Sequence, residues 1–174
     1  MIETRSDLGV TEMVAVPSSV EQRADFLHGR HRFASLRLPD FTAREIEALA
    51  SYTELFRAGA ATVIFEEGAR EAYMAFLVSG EVEIRRSDAH GASHVLATLG
   101  SGKLLGEMAL VDSETRSASA VALHDSMLLV LTEAEFERLL DELPRLGAKL
   151  ALALARLLSG RLRMTSGRLV DHLE

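Results

Sequence analysis

The sequence predicts a mainly β domain with flanking helices. Three observations predict it. Between Thr53 and Leu131 the apolar runs are short and rich in β-formers. Glycines at 59, 68, 80, 91, 100, 102 and 106 punctuate those runs, and glycine lets a turn take positive φ without strain. Helical signals, with capping residues, bracket the middle on both sides. Short strands with turn signals about every ten residues suggest an all-β barrel or sandwich. A chain of 174 residues holds one domain with a sizeable core.

Taken in order, residues 1–19 lack a sustained period and end in Pro17-Ser18-Ser19. They read as a flexible N-terminal arm, leaving 20–174 as the domain. A short helix is expected around Val20–His31. Thr42 to Tyr52 reads as helix, with Thr42 as cap and Glu45 completing a capping box; Ile46, Leu49 and Ala50 give it an apolar side. Strands are expected at Thr62–Phe65, Met74–Val78, Val82–Ile84, His94–Ala97, Ala118–Val121 and Met127–Leu131. Thr132-Glu133-Ala134-Glu135 is a second box, opening a helix to about Glu142. Pro144 suits the first turn of a long helix to the chain end.

The composition narrows the function. There are 19 Lys and Arg against 26 Asp and Glu, a net charge of −7. A phosphate-backbone binder needs a basic face, so no nucleic-acid partner is expected. Cysteine is absent, which removes disulfides and thiolate metal sites. No apolar run is long enough to span a bilayer, and the polar start, Met1 to Val10, is not a secretory signal. A cytoplasmic location is expected. His90 and His94 would share a strand face, but two ligands are too few for a structural metal site. Ser117 and Ser119 have no His–carboxylate partner nearby in sequence, so no enzyme activity is expected.

One stretch departs from ordinary strand sequence: Gly100-Ser101-Gly102-Lys103-Leu104-Leu105-Gly106-Glu107-Met108-Ala109-Leu110, followed after Val111–Thr115 by Arg116-Ser117-Ala118-Ser119-Ala120-Val121. The glycines permit tight turns that expose N–H groups. Glu107 to Leu110 can form one helical turn, whose N-terminus favours an anion. Arg116 supplies a planar fork of donors suited to phosphate. Glu107 is an acceptor that could hold a sugar hydroxyl. These groups describe a pocket for a phosphate joined to a ribose.

This stretch resembles the phosphate-binding cassette of the cyclic nucleotide-binding domain family, in its catabolite activator-like branch. Phe65-Glu66-Glu67-Gly68 and Val78-Ser79-Gly80-Glu81-Val82 are similar to that family's two β-turn signatures, and the likeness covers roughly residues 33–172. The resemblance implies a β-roll (jelly-roll-like, a double-stranded β-helix) with N-terminal helices and a long C-terminal helix. It assigns Gly106, Glu107, Met108, Ala109, Arg116, Ser117 and Ala118 to the phosphate and ribose. Arg116 would pair with the exocyclic phosphate oxygens, and Glu107 would accept from the 2′-hydroxyl. Backbone N–H groups near Met108, Ala109 and Ser117 would complete the cradle. Two positions depart from the pattern: Leu105 replaces a common aromatic, and Lys103 a common acid.

In the last helix, Arg161-Leu162-Arg163-Met164-Thr165-Ser166 is similar to the base-contacting helix of that branch. Thr165 shares a helical face with Leu158, Leu162 and Leu169. A hydroxyl on an apolar face needs a partner: either a bound purine or its own backbone four residues back. Carried over, Thr165 and Ser166 would favour adenine, Ser166 from a neighbouring subunit, with Arg161 near the cassette. Gly160 and Gly167 would then allow close approach to a ligand or a second helix, compatible with a homodimer through this helix. The expected ligand is cAMP, with cGMP as the alternative, and no cofactor. No helix-turn-helix follows the long helix, so a sensor module without its own DNA-binding domain, or a piece of a longer protein, is expected. The competing reading is a ligand-free β-roll serving as an interaction or regulatory domain of a larger transporter or enzyme.

Overall fold

The structure, a computed structural model, describes residues 13–28 and 41–171, with side chains as far as Ser166. Two antiparallel sheets form a β-roll. One has five strands in the order β1 (Val14–Ala15), β2 (Glu54–Ala58), β9 (Ser126–Thr132), β4 (Tyr73–Ser79) and β7 (Leu104–Leu105). The other has four: β3 (Val63–Phe65), β8 (Ser119–Ala122), β5 (Glu81–Ser87) and β6 (Ser93–Gly100). Helices α1 (Val20–Leu27), α2 (Ala43–Ser51), α4 (Glu133–Glu142) and α5 (Pro144–Asp171) flank the roll, and the short α3 (Glu107–Asp112) sits within it.

The apolar pattern explains this layering. Side chains alternate across a strand. In β4, Tyr73, Ala75 and Leu77 point into the roll and meet Ile64, Val82 and Ala120 of the opposite sheet. Met74, Phe76 and Val78 point the other way, into a second core with Leu49 of α2, Leu139 of α4 and Leu150 of α5. β9 does the same, with Leu128 and Val130 inward and Leu129 and Leu131 toward the helices. A strand buried on both faces reads as a continuous apolar run rather than an alternating one, which is why Met74–Val78 and Met127–Leu131 stand out in the sequence.

The first nineteen residues need correction. Residues 1–12 lie outside the described residues, but 13–19 are not a loose arm. Met13 is buried in the roll, Val14 and Ala15 pair with Arg57 and Phe56, and Ser19 caps α1 with a reciprocal box to Gln22. The helix expected at Val20–His31 ends at Leu27 with His28 as its C-cap, and residues 29–31 are outside the described residues. The long helix begins at Pro144 as expected and is described to Asp171.

Both predicted caps form. Thr42 and Glu45 make the full box at α2. At α4 Thr132 accepts from Glu135 N–H, while the Glu135 carboxylate turns to Arg138 instead. Glu45 has a second task, accepting from Lys149 Nζ at 2.8 and 3.0 Å and so tying α2 to α5. Tyr52 at the end of α2 donates to Glu142 of α4 at 2.7 Å. Leu146, Leu150 and Leu154, four residues apart, bury one face of α5; beyond them the helix runs out toward the loop before α3.

The Lys149 ammonium, then the Thr42 backbone N–H, hold the Glu45 carboxyl down from 4.5 to about 2. A depressed carboxylate stabilises the fold above its unfolded pKa, and that contribution is lost as pH falls through the folded value. Glu45→Gln keeps an acceptor at the capping position and loses the charge. Thermal midpoints of wild type and Glu45→Gln should therefore differ in favour of wild type at neutral pH, and the gap should close between pH 4.5 and about 2. A gap that persists at the acid end would show that the ion pair does not bind α5 to α2.

Candidate functional site

The β7–α3 connection turns on Gly106, which has φ +75°. Position 106 has no room for a side chain either. A Cβ there would lie 2.7 Å from Arg116 Nη1, 2.8 Å from the Tyr73 carbonyl oxygen and 3.2 Å from the Phe65 ring. The left-handed turn starts α3 at once, placing Glu107, Ala109 and Leu110 on its buried side and Met108 on its exposed side.

Arg116 arrives from the loop between α3 and β8. Its backbone is fixed by the turn after β3: its N–H donates to the Ala69 carbonyl at 2.9 Å, and its carbonyl accepts from Gly68 N–H at 2.8 Å. The side chain enters the roll and is 3% exposed. Nη1 donates to the carbonyls of Tyr73 at 2.8 Å and Gly106 at 2.9 Å. The guanidinium carbon lies 4.2 Å from the Phe65 ring centre and 4.3 Å from that of Tyr73. Nε and Nη2 are buried with no hydrogen-bond partner. An unsatisfied buried donor costs about 1–3 kcal/mol, and more when charged. Burial lowers the basicity of this guanidinium, but arginine does not lose its proton in proteins. The charge therefore remains, with one edge unsatisfied.

Glu107 is 2% exposed. Burial pushes its carboxyl above the ordinary range, while Arg161 pulls it back. Arg161, in the outer half of α5, forms an ion pair with Glu107 and also donates from Nη2 to the Leu104 carbonyl at 2.9 Å. Arg161 thus lies in direct contact with the acid of the glycine-rich stretch.

The remaining expected residues divide. Ala109 and Ala118 are buried in the cradle wall. Ser117 is exposed, with its hydroxyl 3.8 Å from Met108 Sδ. Thr165 and Ser166 are exposed. The Thr165 hydroxyl donates to the Arg161 carbonyl at 3.0 Å, the backbone alternative that its spacing allowed. The apolar face assigned to it is open at Leu162, which is 68% exposed. A Cβ at Gly160 would meet nothing within 4 Å, so no packing among the described residues explains that glycine. Sequence reasoning missed Phe65 and Tyr73 as neighbours of Arg116. Phe65 was visible as the start of a turn signature, but only the antiparallel fold brings residues so far apart in sequence to one guanidinium.

Gly106 is the position on which this arrangement can be checked without a ligand. A non-glycine residue held in the left-handed region costs about 1–3 kcal/mol, and the close approach to Arg116 adds to that. Gly106→Ala should lower unfolding free energy in urea by at least that amount. A variant as stable as wild type would show that the turn tolerates a side chain and that the approach to Arg116 is not tight.

Comparison with known proteins agrees with this geometry. The profile of the family "Cyclic nucleotide-binding domain" matches residues 55–142. A Cyclic AMP receptor protein from Thermus thermophilus is 41% identical over 93 residues, covering 53% of this chain and 43% of that protein. Among solved structures, a cyclic nucleotide-binding domain from Methylobacillus flagellatus aligns with a TM-score of 0.80 at 25% identity, over 92% of this chain and 89% of that one. The Thermus thermophilus catabolite activator protein aligns with a TM-score of 0.70 at 35% identity, over 80% and 63%. The chain spans less than half the length of the curated relatives it matches. The matched segment runs from β2 to the end of α4 and contains both Glu107 and Arg116: this chain belongs to the cyclic nucleotide-binding domain family.

Proposed function

We propose that this domain binds cAMP as a regulatory sensor and performs no chemistry on it. The observation that carries the reading is the unsatisfied Nε–Nη2 edge of Arg116, buried beside Glu107. A cyclic phosphate oxygen pair would satisfy that edge as a bidentate acceptor. Glu107 would accept from the ribose hydroxyl, and Met108, Ala109, Ser117 and Ala118 would line the phosphate with backbone around the Gly106 turn. The cAMP-named relative supports adenine, as do Thr165 and Ser166 on α5. The back-bonded Thr165 hydroxyl argues for modest discrimination against cGMP. The same reading gives the domain no nucleic-acid contact of its own and a cytoplasmic place of work. Exposed Leu162, beside Thr165 on the outer half of α5, supports pairing with a second copy, which would bring Ser166 across the interface.

Isothermal titration with cAMP, cGMP and a cyclic dinucleotide tests this directly. cAMP should bind, and Arg116→Ala should weaken it about 100-fold, the size of two lost charge-assisted hydrogen bonds at about 1.5 kcal/mol each. Equal affinity in wild type and Arg116→Ala would remove Arg116 from the site. Failure of all three nucleotides to bind wild type would favour a ligand-free interaction domain.

The Arg161–Glu107 pair adds a coupling. A ribose hydroxyl and the Arg161 guanidinium would both claim Glu107, and a ligand moves an equilibrium only by contacting its two states differently. Spin labels on the outer half of α5 and on β5 should report a changed distance distribution on saturation with cAMP. Distributions that superimpose with and without nucleotide would exclude α5 as the responding element.

A further inference from the structure

We infer that Phe65 and Tyr73 are positioning residues for the anion: together they fix the Arg116 guanidinium so that its Nε–Nη2 edge is set for a ligand before one arrives. This rests on the reading of Arg116 as the phosphate anchor and goes beyond it, because it concerns what holds the anchor when the site is free.

A buried guanidinium is usually held by a carboxylate. Here the hydrogen-bonding partners of Arg116 are two backbone carbonyls, both on Nη1. Glu107, the buried acid nearby, is paired with Arg161; the Tyr73 hydroxyl and the Glu71 carboxylate also act on the guanidinium charge, but neither bonds Nε or Nη2. Confinement of the remaining atoms falls to the two rings. Phe65 and Tyr73 stand nearly perpendicular, at 76°, with centres 6.1 Å apart, and the guanidinium carbon sits in the angle between them, within 4.3 Å of each centre. The rings are held in turn. The Tyr73 hydroxyl donates to the Ile64 carbonyl at 2.5 Å, and Phe65 ends the strand paired with β8.

The chemistry of the wall matters. A ring face attracts a cation through its quadrupole but supplies no lone pair along the N–H directions. A carboxylate in the same place would occupy the fork and compete with the incoming anion. An aromatic corner stabilises the charge and leaves both donors vacant. The two donors are adjacent on one edge of a planar group, so they present a fork rather than two separate points. Gly106 belongs to the same device: its missing Cβ lets the Tyr73 and Gly106 carbonyls close on Nη1 beside the Phe65 ring. Preorganising a group in its bound geometry raises affinity by lowering the cost of ordering it on binding.

Nitrogen-15 NMR of the full chain tests this, since arginine Nε–H signals report their surroundings. Arg116→Lys assigns the signal by its disappearance. In ligand-free wild type the Arg116 Nε–H should be shifted by the ring currents and slow to exchange with water. Phe65→Leu should move the signal toward the ordinary arginine position, the Tyr73 ring remaining, and weaken cAMP binding about tenfold, the size that a desolvated cation–π contact supports. Phe65→Tyr should restore both. Phe65 is only half-buried, and Phe65→Met fills the same space without a ring if leucine lowers the thermal midpoint. If wild type binds cAMP and both ringless variants bind it equally well, the positioning role is overturned. An Arg116 signal unmoved by loss of the ring overturns it too. If wild type does not bind cAMP at all, the ligand assignment fails first, and the positioning role falls with it.

Discussion

A permanently charged group placed inside an apolar roll is the constraint on which the rest of this structure depends. Arg116 is surrounded by two carbonyls, two rings and the backbone of a left-handed turn. Those neighbours come from three separate places in the chain, with Tyr73 giving both a carbonyl and a ring and Gly106 both a carbonyl and the turn. Phe65 comes from β3, Tyr73 from β4, Gly106 from the β7–α3 turn, and Ala69 and Gly68 grip the Arg116 backbone from the turn after β3. Burying a charge is tolerated only when it is paired or otherwise solvated. The fold solvates this one on one side and leaves the other edge without a hydrogen-bond partner. If Arg116 anchors the ligand as proposed, the stability of the free protein and its affinity for that ligand are opposed at this residue.

The second consequence of that placement is mechanical. α5 is anchored at its base by Leu146, Leu150 and Leu154 and by the Lys149–Glu45 pair. From that base a rigid helix, rising about 1.5 Å per residue, carries Arg161 to Glu107. The acid of the cassette and the helix that flanks the roll are thus in direct electrostatic contact, without an intervening chain of side chains. Burial raises the Glu107 carboxyl and Arg161 lowers it, so whatever displaces Arg161 changes the charge balance at the cassette as well as the helix.

Much of the fold was legible because its signals are local. Capping residues mark Thr42 and Thr132, Pro144 opens α5, and unbroken apolar runs mark the two strands buried on both faces. The strands that escaped were β1, β2 and β7. β1 and β7 are two-residue pairings, too short to show any period, and exist because a neighbour offers a free edge. β2, Glu54-Leu55-Phe56-Arg57-Ala58, carries adjacent buried residues in place of clean alternation. At the site, Arg116, Glu107 and Gly106 were legible from type and spacing. The pairing of Arg161 with Glu107 was legible only as proximity, and the aromatic corner was not legible at all, because it is a product of sheet pairing. Thr165 is the case the sequence left open: its spacing on α5 allowed a bound purine or its own backbone as partner, and here the hydroxyl turns to the backbone.

The double burial of β4 limits how this sequence can drift. Tyr73, Ala75 and Leu77 answer to the inside of the roll, while Met74, Phe76 and Val78 answer to the helical layer. A change of volume at one of these residues is felt by both cores through a shared backbone, so neither can be retuned alone. β6 is under no such obligation: its residues 93–98 are exposed on both faces. Lineages descended from this sequence should therefore diverge freely along that edge while the strand that carries the Tyr73 carbonyl stays nearly fixed, and a peptide grafted at the β5–β6 turn, around Asp88–Ala92, would be borne by the part of the molecule with least to lose.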